Sequence, residues 1–262
     1  SRPVSLTPQR VLTQPVQRVA VLDTPTGPVG YLAFDEHLAV AERPLIDAIA
    51  ALKAAAITDL VVDLRYNRGG SSAIASELAF MITGQKQTTD RAFQQVVFND
   101  KRQSENFSQP FLWQTVHADP IELLPSLNLP RVYVLTTADT CSASEALING
   151  LRGIDLEVIQ IGERTCGKPY GMYPIDNCRT TYFAINVRAT NDRGFGDYED
   201  GLFPGCEVED DLAHERGDPR EAQLAAALEY RVSGRCQTQS RQRPIRDADA
   251  DWPMPRRSTL AN

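Results

Sequence analysis

The sequence is short of positive charge, of histidine and of long apolar runs. Its 27 Lys and Arg are outnumbered by 34 Asp and Glu, a formal net charge of -7. A phosphate-binding surface needs excess Lys and Arg, so no nucleic-acid partner is expected. No apolar run approaches the ~20 residues that cross a bilayer, so membrane association is expected only through parts absent here. The three histidines, His37, His117 and His214, share no motif with an acid and a serine and are interpreted as surface or packing residues.

Cysteine is more frequent than a cytosolic enzyme of this size would suggest. The five cysteines are Cys141, Cys166, Cys178, Cys206 and Cys236. No CxxC or His-rich spacing occurs among them, so neither a metal site nor another cofactor is predicted. Disulfide bonds are the favoured interpretation, and they predict a periplasmic or secreted location.

Composition divides the chain into three parts. Residues 1–17 hold three prolines and no hydrophobic period, and are predicted to be a linker. Residues 18–236 are predicted to form the folded domain, whereas 237–262 are polar, rich in Pro, Arg and Asp, and predicted to be an irregular tail. The start, SRPVSLTPQ, resembles a cut through a longer protein or a mature terminus, so a preceding domain is expected.

Strand and helix patterns alternate through the central part. An N-terminal hairpin is predicted from VAVLD and GPVGYLAF, and residues 85–130 read as irregular apart from one strand over 92–98. Short apolar runs predict buried strands at 59–65, 130–137 and 156–162, and a half-buried strand at 180–190. Helices are predicted at 41–56, 71–84, 142–153 and 219–232. This order predicts an α/β fold with a mostly parallel central sheet and flanking helices.

The segment TADTCSASE, residues 137–145, is the strongest functional signal. It follows a buried strand and opens a helix at Ser142, which places a hydroxyl beside the unpaired N–H groups of a first helical turn. Such N–H groups can stabilise a developing oxyanion. The letters from Ser142 to Glu145 also fit a capping box, in which both side chains only complete the helix N-terminus. The segment alone leaves both interpretations open.

Two further loops follow predicted strands. In GERTCGKPYG, residues 162–171, Lys168 stands in a stretch with little other charge. A neutral lysine can act as a general base, although a lone loop lysine is more often a solvated surface residue. In DLRYNRGG, residues 63–70, Gly69 and Gly70 allow close backbone approach and offer N–H donors, or form an ordinary strand-to-helix turn. No G-K-[ST] follows, so a phosphate loop is not predicted.

In this order, the three segments resemble the tail-specific (C-terminal-processing) proteases of peptidase family S41. That family shows D-L-R-x-N-x-G-G, then S-A-S-E at a helix start, then G-E-x-T-x-G-K. The chain carries these motifs at 63–70, 142–145 and 162–168, and its segment 201–212, GLFPGCEVEDDL, resembles a further family segment. The resemblance runs from about Val29 to Leu228 and implies a ClpP/crotonase-like catalytic core.

The resemblance also implies roles for individual residues. Ser142 would be the nucleophile and Lys168 its general base, a Ser–Lys dyad. The backbone N–H groups of Ala143 and of Gly69 or Gly70 would form the oxyanion hole.

Two departures from the family pattern qualify this assignment. Many members carry a glutamine four residues after the lysine, where this chain has Met172. Glu145 is therefore the expected third catalytic residue, orienting or tuning Lys168. Members usually also carry a peptide-binding PDZ domain before the core, and a module of this kind is expected in the part of a longer chain that would precede this sequence.

The expected function is that of a serine endopeptidase acting on C-terminal regions of unfolded or membrane-associated proteins. Two alternatives remain open: a non-catalytic ligand-binding module, as in retinoid-binding relatives, and a small-molecule hydrolase with the same Ser–Lys pair. The presence of both Ser142 and Lys168 argues against a silent binding module. A pairing of Ser142 with His37 is kept as a minor alternative.

The cysteines allow more than one pairing. We predict bridges Cys166–Cys178 and Cys206–Cys236, with Cys141 reduced, because the loop between 166 and 178 is rich in Gly and Pro and turns readily. The rival pairing is Cys141–Cys166. If Ser142 and Lys168 meet, their neighbours could also come within the ~4.4–6.8 Å Cα separation of a disulfide.

Overall fold

The structure of the chain is a computed structural model. It describes residues 13–236 together with Ser5, Thr7, Pro8 and Val11. The tail predicted at 237–262 lies outside the described residues. Within the described ranges, no helix is long and apolar enough to cross a bilayer.

Strands and helices alternate over most of the described chain, as the sequence predicts. The strands are β1 (Val16–Leu22), β2 (Val29–Phe34), β3 (Asp59–Asp63), β4 (Ala92–Phe98), β5 (Phe107–Pro110), β6 (Arg131–Thr136), β7 (Glu157–Gly162), β8 (Tyr170–Met172), β9 (Ile175–Asn177), β10 (Thr180–Tyr182), β11 (Ile185–Thr190) and β12 (Cys206–Glu207). The helices are α1 (Glu42–Ala54), α2 (Ser72–Thr83), α3 (Gln85–Thr88), α4 (Ala143–Gly153) and α5 (Ala222–Ser233).

The central sheet has the strand order β1-β2-β3-β6-β7-β12. The strands from β2 to β12 pair in parallel, and β1 joins β2 as the antiparallel partner of the predicted hairpin. All five residues of β3 are buried, as expected for a strand covered on both faces. The predicted α/β class and the mainly parallel sheet are confirmed.

Helices cover both faces of this sheet. Because alternate residues of a strand point to opposite faces, each strand contributes to two cores. Leu32 and Val62 pack in a cluster with residues of α1, α2 and α4. Tyr31 and Val61 pack in a second cluster with Leu224 of α5. The sheet is therefore the middle layer of three.

A second, antiparallel sheet was not predicted. Its order is β5-β4-β11-β8, and β9 and β10 form a separate hairpin beside it. The single strand predicted over 180–190 is wrong, because residues 180–182 pair with β9 and 185–190 pair with β4 and β8. Residues 180–185 are all exposed, so no buried face holds them in the same sheet as Val187.

The segment between β5 and β6 is irregular, as predicted, but anchored. The backbone N–H groups of Val116 and His117 donate to Glu42 Oε1 at 2.7 and 2.8 Å, and Val116 also donates to Glu77 Oε1 at 3.0 Å. Burial and the adjacent Glu42 carboxylate raise the pKa of Glu77 to about 8. Glu77 is therefore mainly protonated at neutral pH, which lets two carboxyl groups share one buried site.

Candidate active site

Three loops meet at one edge of the central sheet. They follow β3, β6 and β7, which are neighbours in the sheet and run in parallel. The carboxyl ends of parallel strands therefore bring residues 63–70, 137–142 and 163–169 together. Open parallel sheets place their ligand sites at this edge.

An open cleft of about 600 Å³ lies at this edge. Five of the six residues selected from the sequence line it, namely Ser142, Lys168, Ala143, Gly69 and Gly70. The sixth, Glu145, is fully buried beneath them. The structure thus gathers residues that are up to 99 positions apart in the sequence, from Gly69 to Lys168.

Ser142 occupies a strained turn at the start of α4. Its backbone has φ 55° and ψ -112°, a combination that non-glycine residues rarely adopt. The surrounding backbone holds it there, because Cys141 N–H and Ser144 Oγ both donate to Asn67 O at 3.0 Å. Strain of this kind collects at functional sites and presents a side chain that a relaxed turn would direct elsewhere.

The two glycines of the first loop behave differently. Gly69 has φ +96°, and a Cβ there would lie 2.7 Å from Ala143 N and 2.8 Å from Ser142 Cβ, so only glycine allows this contact. Its N–H donates to Asn67 Oδ1 at 3.0 Å. Among the described residues, nothing accepts from the N–H groups of Gly70 and Ala143. These two donors are the ones available to a ligand.

Asn67 holds the first loop to its neighbours, a role that sequence reasoning missed. Its Oδ1 accepts from Gly69 N–H and lies 3.1 Å from His37 Nδ1, and its Nδ2 donates to Phe34 O at 2.8 Å. Asn67 is part of the D-L-R-x-N-x-G-G motif. That membership was the available signal, although it does not say which atoms the side chain binds.

His37 is a buried packing residue. Its Nδ1–H donates to Asn67, its ring packs edge-on against Phe34, and its Nε2 is buried without a partner among the described residues. Complete burial lowers the pKa of His37 to about 4, so the ring is neutral at physiological pH. The minor alternative that paired His37 with Ser142 is wrong, because neither ring nitrogen contacts the serine.

Glu145 connects the serine and lysine loops. Its Oε2 accepts from the backbone N–H groups of Ser142 and Lys168 at 2.9 and 2.8 Å. Its Oε1 accepts from Gly167 N–H at 2.8 Å and from Thr165 Oγ1 at 2.5 Å. The bond to Ser142 N–H is the Glu145 half of the expected capping box. Glu145 binds the backbone of Lys168, so the geometry gives it a positioning role.

Two disulfide bonds are present, and one of the predicted pairings is wrong. Cys206–Cys236 is confirmed, with a Cα separation of 5.3 Å. The other bridge is Cys141–Cys166, with a Cα separation of 5.2 Å, and Cys178 is free and exposed. Cys178 lies in the turn between β9 and β10, whereas the β6 and β7 loops bring Cys166 beside Cys141. The predicted reduced state of Cys141 is therefore also wrong.

A buried charged cluster adjoins the site. Arg65 is 1% exposed and binds Asp63, Asp210 and Glu221 at 2.7, 3.0 and 2.8 Å. Arg216 adds a second contact to Asp63 at 3.2 Å. Burial alone would raise the pKa of Asp63, but the bonds and charge of Arg65 outweigh it and hold that pKa below its usual range. The Asp and Arg of the D-L-R motif thus join β3 to the segment around α5.

Comparison with known proteins decides the family. The model of peptidase family S41 matches residues 28–195. The chain belongs to peptidase family S41. This confirms the family inferred from the three motifs and supports a serine-type peptidase.

Solved structures agree with the family assignment. A protein from Bacteroides fragilis NCTC 9343 that is assigned to the S41 proteases is 28% identical, with a TM-score of 0.76 over 86% of this chain and 59% of that one. The photosystem II D1 C-terminal processing protease is 21% identical, with a TM-score of 0.56 over 76% of this chain and 49% of that one. A lipoprotein from Streptococcus agalactiae is 13% identical, with a TM-score of 0.52 over 73% and 65%.

The more distant similarities show the fold alone. This S41 chain spans 59% of the length of the Bacteroides protein and 49% of the D1-processing protease. No curated protein matches it in sequence.

Proposed function

We propose that this S41 chain is a serine endopeptidase with Ser142 as nucleophile and Lys168 as general base. The observation that carries the proposal is the shared cleft. Ser142 and Lys168 both line it, from the loops of two adjacent parallel strands. Their backbones bind the same carboxylate oxygen of Glu145. Both half-buried side chains therefore have fixed backbones and access to a substrate.

The proposed reaction uses groups of this chain and one water molecule. Lys168, as general base, takes the proton of Ser142 Oγ as that oxygen attacks the peptide carbonyl. The N–H groups of Gly70 and Ala143 stabilise the oxyanion of the tetrahedral intermediate. Gly69, the alternative donor, already donates to Asn67 and serves to shape the loop. Lys168 then protonates the leaving amine, and water hydrolyses the acyl-enzyme by the reverse route.

The substrate class we propose is an extended C-terminal segment of a protein. The free edge of β8 follows Lys168 and lines the cleft, so its backbone can pair with an extended peptide. Apolar side chains, among them Leu38, Val96 and Val187, also line it and suit apolar substrate residues. The D1 C-terminal processing protease has the same fold, which agrees with this choice. The two disulfides support a periplasmic or secreted location.

Replacement of the two serines of the S-A-S-E motif tests the nucleophile. Ser142→Ala should lower kcat by about 10⁴-fold or more, because nucleophile and base act as a unit. The substrate for this measurement is an unfolded protein that carries a fluorescent label. Ser144→Ala is the matched control, since Ser144 is fully buried and donates to Asn67 O. It removes one hydrogen bond that supports the Ser142 turn but leaves the nucleophile in place, so kcat should stay within about tenfold of that of the unmodified enzyme. Near-normal turnover by Ser142→Ala would exclude the mechanism.

Replacement of the lysine tests the base. Lys168→Arg keeps a long basic side chain, but a guanidinium cannot give up its proton at working pH. The variant should be as inactive as Lys168→Ala while unfolding at the same urea concentration as the parent. An active Lys168→Arg enzyme would show that Lys168 accepts no proton in the reaction.

A further inference from the structure

The bridge Cys141–Cys166 joins the two loops that carry the proposed dyad. Cys141 directly precedes Ser142, and Cys166 stands two residues before Lys168. Neither cysteine belongs to the residues that define the S-A-S-E and G-E-x-T-x-G-K motifs. The bridge is thus an addition in this chain to a site that the motifs already specify.

The two disulfides differ in access. Cys166 is exposed and Cys141 is half-buried, so a reductant can reach a sulfur of this bridge. In the other bridge, Cys206 is 1% exposed and packs in the core beneath α5, and Cys236 is half-buried. Neither cysteine of that bridge is as exposed as Cys166, so a thiol in solution should react faster with the bridge at the site.

Reduction of this bridge would change the contacts of Glu145, which binds the backbones of Ser142 and Lys168. Cys166 Sγ lies 3.3 Å from Glu145 Oε2, the oxygen that accepts from the N–H groups of Ser142 and Lys168. A free Cys166 thiol would become a third donor at that oxygen. Loss of the covalent link would also allow the two loops to separate. The contacts that still join them would be mainly those of Glu145 and the hydrogen bond from Cys166 N–H to Thr140 O at 3.0 Å.

We propose that Cys141–Cys166 is a thiol–disulfide exchange site through which a dithiol lowers peptidase activity. A thiolate of the dithiol attacks exposed Cys166 Sγ, and the Sγ–Sγ bond breaks. The leaving Cys141 thiolate, at the N-terminus of α4, is stabilised by the helix and then takes up a proton. The second thiol of the dithiol releases Cys166, so two electrons and two protons pass to the bridge and the dithiol becomes a disulfide. The activity part of the proposal rests on the proposed peptidase function.

Activity measured at defined ratios of reduced to oxidised dithiothreitol tests the exchange. Reduction should lower kcat by ~10-fold in protein that is still folded, since small displacements of catalytic groups are costly. The unfolding midpoint should also fall, because the bridge no longer constrains the unfolded chain. Reoxidation should restore it. Thiol alkylation followed by peptide mapping should show Cys141 and Cys166 reduced before Cys206 and Cys236.

Two double variants separate this bridge from the other. Cys141→Ser with Cys166→Ser should have the kcat of the reduced enzyme and no response to dithiothreitol. Cys206→Ser with Cys236→Ser is the matched control and should keep the full response. If the first double variant keeps the activity of the oxidised enzyme, or still responds to the dithiol, the proposal is wrong.

Amide hydrogen exchange provides a readout that does not depend on activity. The N–H groups of Ser142, Gly167 and Lys168, all bound to Glu145, should exchange at least several-fold faster after reduction. Unchanged exchange at these amides in the reduced enzyme would overturn the coupling. Faster exchange in a protein that hydrolyses no peptide in either state would support the coupling and count against the proposed function.

Discussion

Two sets of buried polar residues adjoin the candidate site, and they differ in the kind of group that their side chains bind. The loop anchors, Asn67 and Glu145, bind mainly backbone groups. Glu145 accepts from N–H groups of the serine and lysine loops, whereas Asn67 accepts from Gly69 N–H and donates to Phe34 O. The arginine cluster, built around Arg65 and Asp63, joins side chain to side chain. A side chain that binds backbone fixes the path of a loop, whereas paired charges hold elements together. We therefore expect the first group to control activity and the second to control stability.

Removal of the central arginine should produce the largest effect. Arg65→Met leaves three carboxyl groups without their main partner, and breaking a buried ion pair in this way costs about 3–5 kcal/mol. The free energy of unfolding in urea at neutral pH measures the loss. Any folded fraction should keep kcat within about tenfold. If Arg65→Met kept its stability but lost its activity, the arginine cluster would control activity, contrary to our expectation.

Acid should weaken the loop-anchor region through His37. Because its folded pKa of about 4 lies below the unfolded value of 6.5, the unfolded chain binds more protons between these values. The contribution of His37 is complete above pH 6.5 and is lost as the pH falls toward 4. It is on the order of 3 kcal/mol. Urea unfolding of the parent protein at several pH values should show a free energy of unfolding that rises with pH between 4 and 6.5.

Two variants isolate the contribution of His37 from other acid effects. His37→Asn can still donate to Asn67 but has no group that titrates in this range, so its stability should depend less on pH between 4 and 6.5. His117→Asn changes an exposed histidine and should follow the parent. Equal slopes for parent and His37→Asn would contradict the burial argument.

Glu145→Gln tests the loop anchors directly. The amide that replaces one carboxylate oxygen donates where the carboxylate accepts two backbone N–H groups. The serine and lysine loops should shift, and kcat should fall by about 100-fold because catalysis depends on sub-ångström placement. KM should change little. Loss of stability with unchanged kcat would show that Glu145, like the arginine cluster, controls stability and not activity.

The smallest effect is expected at an exposed ion pair between the same loops. Arg68 binds Asp139 at 2.6 Å, but the two side chains are 77% and 50% exposed. Arg68→Met should lower the free energy of unfolding by less than about 1 kcal/mol, because solvent screens exposed pairs. It is the matched control for Arg65→Met, three residues away in sequence. If Arg68→Met lost as much free energy of unfolding as Arg65→Met, burial would not explain the difference expected between the two ion pairs.

Sequence patterns could predict the central sheet and the loops of the candidate site because these features are local. Buried strands such as β3 are short apolar runs, and each motif follows a strand within a few residues. The antiparallel sheet was missed because its two outer strands, β8 and β5, are only three and four residues long. Strands that short have too few residues to show a period, and only pairing with a distant strand defines them.

The sequence by itself determined the family, the parallel sheet and the residues that line the cleft, since ordered motifs and apolar periods encode them. Tertiary structure decided how those residues are supported. Which atoms Asn67 and Glu145 bind, which cysteine pairs with Cys166, and whether His37 is buried all depend on distances between loops of different strands. Such distances are set when the sheet aligns β3, β6 and β7, so no single segment contains them.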